Sequence, residues 1–482
     1  MRTGRLNVRI LAGGRPTHAR VQLTGPDGNA RYAQGCLTYE RDWHFTVEGG
    51  FSIKLPEGRS VLTLEKGMEY FQVRDDVEIT GGSDVTREYE MRRWIDMNSL
   101  GWYSGDTHVH RMPENIEHLM EAEDLNLAPV LSTWNQEDVF EGSRGERVVR
   151  FGNRAYSLVN QEDERSGGAV MALDLERPVR VETDSWYPSE AYFGRRWHEQ
   201  GAIVEQEKPF WWEAPVNVAL GLVDTVGIVN NHLQRTEVME NEAWGRPRDL
   251  ERYPGAPGFV QNVLDLYYRY LNLGIKLPIT AGSASGVLRN PLGYNRLYVR
   301  LEEGFSYRGW LDGMRAGRAF ATNGPMLFFT VDGEIPGLTA FYERPCEVRL
   351  EVRTECPRKL RGIEILRNGK TIMTGKERGE PACLKMEVEE SCWVAARVFE
   401  ECDNTVRLAH SNPVFLEAPD PVKPSREDAL YYMEWCQELL DASRRDPDRY
   451  GTVLKRREVE EDYGQAVEFY RRLACQGSAQ AL

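Results

Sequence analysis

The stretch Trp102-Tyr103-Ser104-Gly105-Asp106-Thr107-His108-Val109-His110 lies where the texture of this chain changes. Trp102 and Tyr103 open a strand-like run. In an extended segment residues i and i+2 face the same side, so His108 and His110 present two imidazoles to one point, with Asp106 on the same face. Two imidazoles supported by a carboxylate are what a divalent transition metal requires. The plainer alternative is a pair of polar residues on a wet strand face.

Outward from it, across 96–325, short apolar runs alternate with helical stretches. Ile116, Leu119 and Met120 share one helix face after Pro113, and Ser189-Glu190 begins a capped helix ending at Gly201. Strand-like runs occur at 128–131, 202–204, 225–229, 277–280 and 297–299. Alternating helix and strand predicts a parallel sheet or a β/α barrel, and the number of strands without a glycine-rich phosphate fingerprint favours the barrel. In such barrels the active site lies at the C-terminal strand ends. Here those ends are Asp106/His108/His110, Thr133-Trp134-Asn135, Glu205-Gln206-Glu207-Lys208, Asn230-Asn231-His232 and Ser283-Ala284-Ser285, which would converge on one rim.

The flanks read differently. Residues 1–95 alternate with period two (Leu6/Val8/Ile10, Phe51/Ile53/Leu55, Val77/Ile79) between Gly/Pro/Asp turns, which predicts a small β-sandwich. A second sandwich is expected over 326–418, with Asn368-Gly369 as a hairpin turn. The remaining 419–482 read as a linker, Pro419 to Pro424, followed by a helix capped at Ser425 and a last helix over about 455–474. The expected fold is thus multidomain, a distorted β/α barrel flanked by two β-sandwiches and a helical C-terminal segment.

The 482 residues, 41% hydrophobic, rule out bulk disorder. A net charge of −15 repels phosphate backbones and anionic membranes, so neither nucleic acid nor a membrane surface is an expected partner. No apolar run reaches the roughly 20 residues of a membrane-spanning helix. The first residues lead straight into a strand pattern, which predicts a cytoplasmic protein, or an extracytoplasmic one if a leader has been removed. The eight cysteines are scattered without a CxxC pair, so buried free thiols are expected.

Gly105-Asp106-Thr107-His108-Val109-His110, the later Asn231-His232 and Thr322-Asn323-Gly324-Pro325 resemble the CehA/McbA family of metallohydrolases, a branch of the PHP superfamily. The resemblance covers roughly 96–330. It implies a distorted β/α barrel and metal-dependent hydrolysis of an ester, amide, carbamate or phosphoester bond. The chain departs from the superfamily in three places. Thr133-Trp134-Asn135 stands for Asp-His-Asn, Gly282-Ser283-Ala284-Ser285-Gly286 for Gly-Ser-Asp-x-His, and Glu207-Lys208-Pro209 for a His-Pro. The ligands that survive suit a single ion, with Asp106, His108, His110, Glu207 and His232 as the candidate set. Zinc is the first expectation, with manganese and iron compatible.

One such ion would lower the pKa of bound water toward about 7 and polarise the substrate oxygen. Glu207 or Glu205 would be ligand or general base, the other orienting an imidazole, and Lys208 would stabilise developing negative charge. Trp134, Trp212, Arg235 and Tyr294 are the candidate contacts for a small organic or sugar-like substrate. His118 and His198 read as structural. Two rival functions are a catalytically inactive barrel that serves as a binding protein, and a glycosidase using carboxylates such as Glu205 and Glu213. The oligomeric state is not legible.

Overall fold

In the strand Thr3–Ala12, Leu6, Val8 and Ile10 are buried, so one face must be covered. The strand pairs antiparallel with Gly50–Pro56 and parallel with Asp84–Glu90. A second sheet, with His18–Thr24 between His44–Glu48 and Gly58–Glu65, supplies Val21, Phe45 and Leu62 to the same core. The computed structural model describes residues 2–138, 146–335, 337–343, 345–375, 381–419 and 422–476. Residues 420 and 421, inside the expected Pro419 to Pro424 linker, lie outside that set.

The whole is a multidomain, sheet-rich α/β protein. Its central sheet begins with Trp102–Gly105, which pairs antiparallel with Arg296–Arg300 and parallel with Leu127–Trp134. Gly105 is required there, because a Cβ would come within 2.4 Å of the Trp310 ring. From Leu127–Trp134 the sheet continues through Arg154–Arg165, Gly168–Leu173, Ile203–Gln206, Thr225–Val229 and Ile279–Ala281.

The expected alternation of helix and parallel strand fails in two places, the first being the antiparallel pairing of Arg296–Arg300 with both Trp102–Gly105 and Ala319–Thr322. In the second, Val148–Phe151, Arg154–Arg165 and Gly168–Leu173 form an antiparallel meander between the second and third of the anticipated strands. Arg154–Arg165 is buried continuously from Ala155 to Asp163, yet it carries Asn160-Gln161-Glu162-Asp163. It therefore lacks the apolar alternation that marks a strand with one wet face. Nor do the paired strands close a ring, since among the described residues Ile279–Ala281 is laddered with Thr225–Val229 alone. Beyond the strand ends, Val109 forms parallel bridges to Val130 and Ser285, and the Thr107 N–H donates to the Ala281 carbonyl at 3.2 Å.

The helix Pro113–Ala122 buries Ile116, Leu119 and Met120 as the periodicity predicts. Glu190–His198 is also helical, but Ser189 does not cap it with its side chain, because its hydroxyl donates to Asp462 Oδ2 at 2.7 Å. The C-terminal sandwich joins the central sheet, since Ala319–Thr322 pairs with both Arg296–Arg300 and Arg407–Ser411. Asn368 and Gly369 both take positive φ in the turn between Leu360–Arg367 and Lys370–Gly375, the geometry a tight hairpin needs. The last helices, Arg426–Arg445, capped by Ser425, and Val453–Gln476, pack on the central unit. Tyr432 stacks on Tyr270 at 4.3 Å, and the Tyr470 hydroxyl donates to the Pro215 carbonyl.

Candidate metal centre

His108 and His110 follow the end of Trp102–Gly105, and their Nε2 atoms lie 3.0 Å apart. Glu162, on Arg154–Arg165, closes the group: its Oε1 is 3.4 Å from His108 Nε2 and its Oε2 is 3.0 Å from His110 Nε2. All three are nearly or fully buried, and they form the group among the described residues that could hold a metal ion. Two donors at roughly 2.1 Å from one ion, the usual metal–imidazole distance, span 3.0 Å when they subtend about a right angle. Glu162 Oε2 makes no properly aligned hydrogen bond despite its proximity to His110, which leaves a buried anionic oxygen free. The donor set therefore fits a divalent ion.

Charge is balanced around His108. Burial works against a charged imidazole, but Glu162 and Glu207 override it and raise the His108 pKa well above the ordinary value. Burial would likewise raise Glu162, yet His108 and His110 pull it down to about 2. Behind His108, Glu207 Oε1 lies 3.2 Å from Nδ1 as an ion-pair partner and accepts from Lys208, while its Oε2 accepts from Trp211 Nε1 at 2.9 Å. Glu207 is thus an anchor for an imidazole rather than a member of the ligand group. Lys208 is spent in that ion pair and sits 4.5 Å from the Trp211 ring centroid.

Glu205, on Ile203–Gln206, accepts from Thr107 Oγ1 at 3.2 Å and has no partner at Oε2. Burial raises its pKa to about 7 against the hydrogen bond from Thr107. Trp134 lies beside the group, its ring 4.9 Å from His110, and its Nε1 donates to Glu164 Oε2 at 3.2 Å. Burial first and Glu162 second push Glu164 to about 7.

Other expected members are placed elsewhere. Asp106 is not positioned as a ligand, because its carboxylate accepts the backbone N–H groups of His108, Ser283 and Gly293 at 3.1, 2.9 and 2.7 Å. That pins the histidine segment to the loops after Ala281. His232 stacks on Phe259, its Nδ1 meets the Met239 carbonyl, and burial followed by Lys208 lowers its pKa to about 3. It is outside the ligand group. Trp212 packs edge-on against Trp435 of a C-terminal helix and accepts its indole N–H through the backbone carbonyl. Arg235 and Tyr294 line a different cavity, to which none of His108, His110 and Glu162 contributes. Glu213, the rival glycosidase carboxylate, is occupied by the Glu190 N–H and the Tyr463 hydroxyl.

Glu162 is the residue that sequence reasoning missed. Its only signal was a run of four polar residues, which reads as a loop until its burial is known. Among the described residues no helix is long and apolar enough to cross a membrane.

No family model matches the chain, and no curated protein matches it. A solved structure of GBS52, the minor pilin of the gram-positive pathogen Streptococcus agalactiae, aligns with 20% of this chain and 46% of its own at 23% identity. Its TM-score is 0.17, and a likeness of that size carries no argument about fold or function.

Proposed function

We propose that the chain is a metal-dependent hydrolase of the CehA/McbA kind, working with one divalent ion at His108, His110 and Glu162. The observation that carries the reading is the meeting of these three side chains, His108 and His110 just past Trp102–Gly105 and Glu162 near the end of Arg154–Arg165, with Leu127–Trp134 between the two strands. The strands from Leu127–Trp134 round to Ile279–Ala281 are read as a distorted β/α barrel, Val109 bridging toward both ends. Zinc, manganese and iron all suit two imidazoles and a carboxylate.

When bound, such an ion would lower the pKa of a water and polarise the carbonyl or phosphoryl oxygen of an ester, amide, carbamate or phosphoester. The chain's own residues do the rest. Glu207, paired with His108 Nδ1 at 3.2 Å, orients the ring so that its Nε2 faces Glu162. Lys208 keeps Glu207 ionised. Glu205, with its free Oε2, is the group placed to take up a proton. Trp134, beside His110, offers an aromatic wall to a small organic substrate.

One observation favours a second reading, a non-catalytic binding protein: the cavity lined by Arg235 and Tyr294 is separate from the metal group. Metal content of the purified protein, by inductively coupled plasma mass spectrometry, separates the two. About one transition metal per chain, lost in His108→Ala/His110→Ala and in Glu162→Ala, would support the hydrolase and start an ester, carbamate and phosphoester screen. No metal after soaking with zinc, manganese or ferrous iron would sink it.

A further inference from the structure

The cavity that Arg235 and Tyr294 share has a volume of ≈ 280 Å³ and lies where three parts of the chain meet. The N-terminal sandwich contributes Arg20 and Glu65, the central unit Arg235, Tyr294 and Arg296, and the C-terminal sandwich Arg407. Five guanidinium groups line it against only three carboxylates, so its charge is not balanced from within.

The pairing shows which cations are left over. Arg20 takes both Glu65 and Glu123, each at 2.6 Å, and Arg358 takes Glu400 at 2.9 Å. Among the described residues Arg407 reaches no carboxylate closer than Glu400, at 3.8 Å. Arg235 reaches outward to Asp42 at 3.0 Å, a carboxylate that His44 also engages, and its Nε has no partner. Arg296 is 1% exposed and, among the described residues, has no carboxylate within 4.0 Å. Its Nε and Nη2 donate to the carbonyls of Gly293 and Glu123, leaving Nη1 buried without an acceptor.

A buried guanidinium N–H without an acceptor is costly, and the group that best relieves it is an oxyanion, whose oxygens match the guanidinium fork. Arg20, Arg235 and Arg407 together draw Glu65, despite its burial, down to about 2, so all three act on the same part of the cavity's electrostatics. Tyr294 and Phe71 supply apolar surface at the same place, with the Arg407 guanidinium 5.8 Å from the Tyr294 ring centroid.

We propose that this cavity binds a small anionic molecule, its phosphate or carboxylate held by Arg296, Arg235 and Arg407 and its apolar body against Tyr294 and Phe71. The site is distinct from the metal group, and the proposal holds whether or not the chain is a hydrolase. The two oxyanions share one recognition chemistry, and the probes separate them.

The test is thermal shift and calorimetric titration of the full chain with phenyl phosphate and with benzoate, at matched ionic strength. It is run on the wild type and on His108→Ala/His110→Ala, which removes the metal group as a competing anion site. Saturable binding of either probe to both proteins, weakened about tenfold or more by Arg407→Gln and by Arg296→Gln, would support the site. The tighter probe names the oxyanion. Should Arg296→Gln fail to fold, Arg407→Gln and Arg235→Gln decide. No saturable binding up to about 10 mM of either probe, binding lost in His108→Ala/His110→Ala, or binding unchanged in the arginine variants would overturn it.

Discussion

His108 Nδ1 lies 3.2 Å from Glu207 Oε1, so the imidazole that faces Glu162 with one nitrogen is anchored on a second carboxylate by the other. An outer carboxylate of this kind sets the tautomer and raises the basicity of the ligating nitrogen. Glu207→Gln keeps the shape but removes the charge, and metal affinity is expected to fall roughly 10–100-fold in a competition titration. The same change strands Lys208, which is 1% exposed, without its counter-ion. Loss of one member of a buried pair costs about 3–5 kcal/mol, so the urea midpoint should drop sharply and be partly restored in Glu207→Gln/Lys208→Met. Unchanged metal affinity in the single variant would remove Glu207 from the site.

Glu162 makes the second prediction. Adding zinc to metal-stripped wild type should raise Tm, because an ion that binds only the folded state stabilises it by about 2.7 kcal/mol at a hundred times its Kd. In Glu162→Ala the shift should vanish, and the melting point without metal should itself fall, because His108 and His110 lose a buried counter-ion. An equal shift in both proteins would place the ion elsewhere.

His108 and His110 were legible because the two-residue period of an extended segment puts both on one face whatever surrounds them. Glu162 was not, since a strand buried on both faces can carry polar residues when they meet partners that only tertiary structure supplies. Asp106 had the right spacing for a ligand, but three backbone N–H groups from separate loops claim its oxygens. Arg235 and Tyr294 do come together, in a cavity to which the N-terminal sandwich contributes Arg20 and Glu65. The sandwich strands and the Asn368-Gly369 turn were legible for the opposite reason, being specified by neighbours in sequence.

A buried carboxylate pair gives the pH prediction. Burial first and the Glu213 charge second hold Glu190 well above the ordinary carboxylate range, while burial, with the Asp462 charge, holds Glu213 at about 7. The folded state therefore keeps protons that the unfolded chain releases above about 4.5. Stability from this pair is complete below that pH and is lost as pH rises toward 7. For Glu213 alone the loss is on the order of 3 kcal/mol. Urea midpoints measured from pH 4.5 to 7.5 should fall more steeply for wild type than for Glu213→Gln, and parallel curves would refute the assignment.

The last prediction concerns how the C-terminal helices are held. Tyr432 stacks on Tyr270 with an interplanar angle of 2°, and its hydroxyl donates to the Leu266 carbonyl at 2.5 Å. Both rings are fully buried, so the contact combines apolar burial with a hydrogen bond inside the seam between Arg426–Arg445 and Gly255–Asn272. Tyr432→Ala should cost about 3–5 kcal/mol, the range for deleting a large buried aromatic side chain. Tyr432→Phe should cost about 1 kcal/mol, the worth of the hydrogen bond. Because the seam joins the helices to the central unit, limited proteolysis of Tyr432→Ala should release the segment after 425 before the sandwiches are cut. Cleavage there at the wild-type rate would mean that other contacts, such as Tyr470 with Pro215, hold the helices without it.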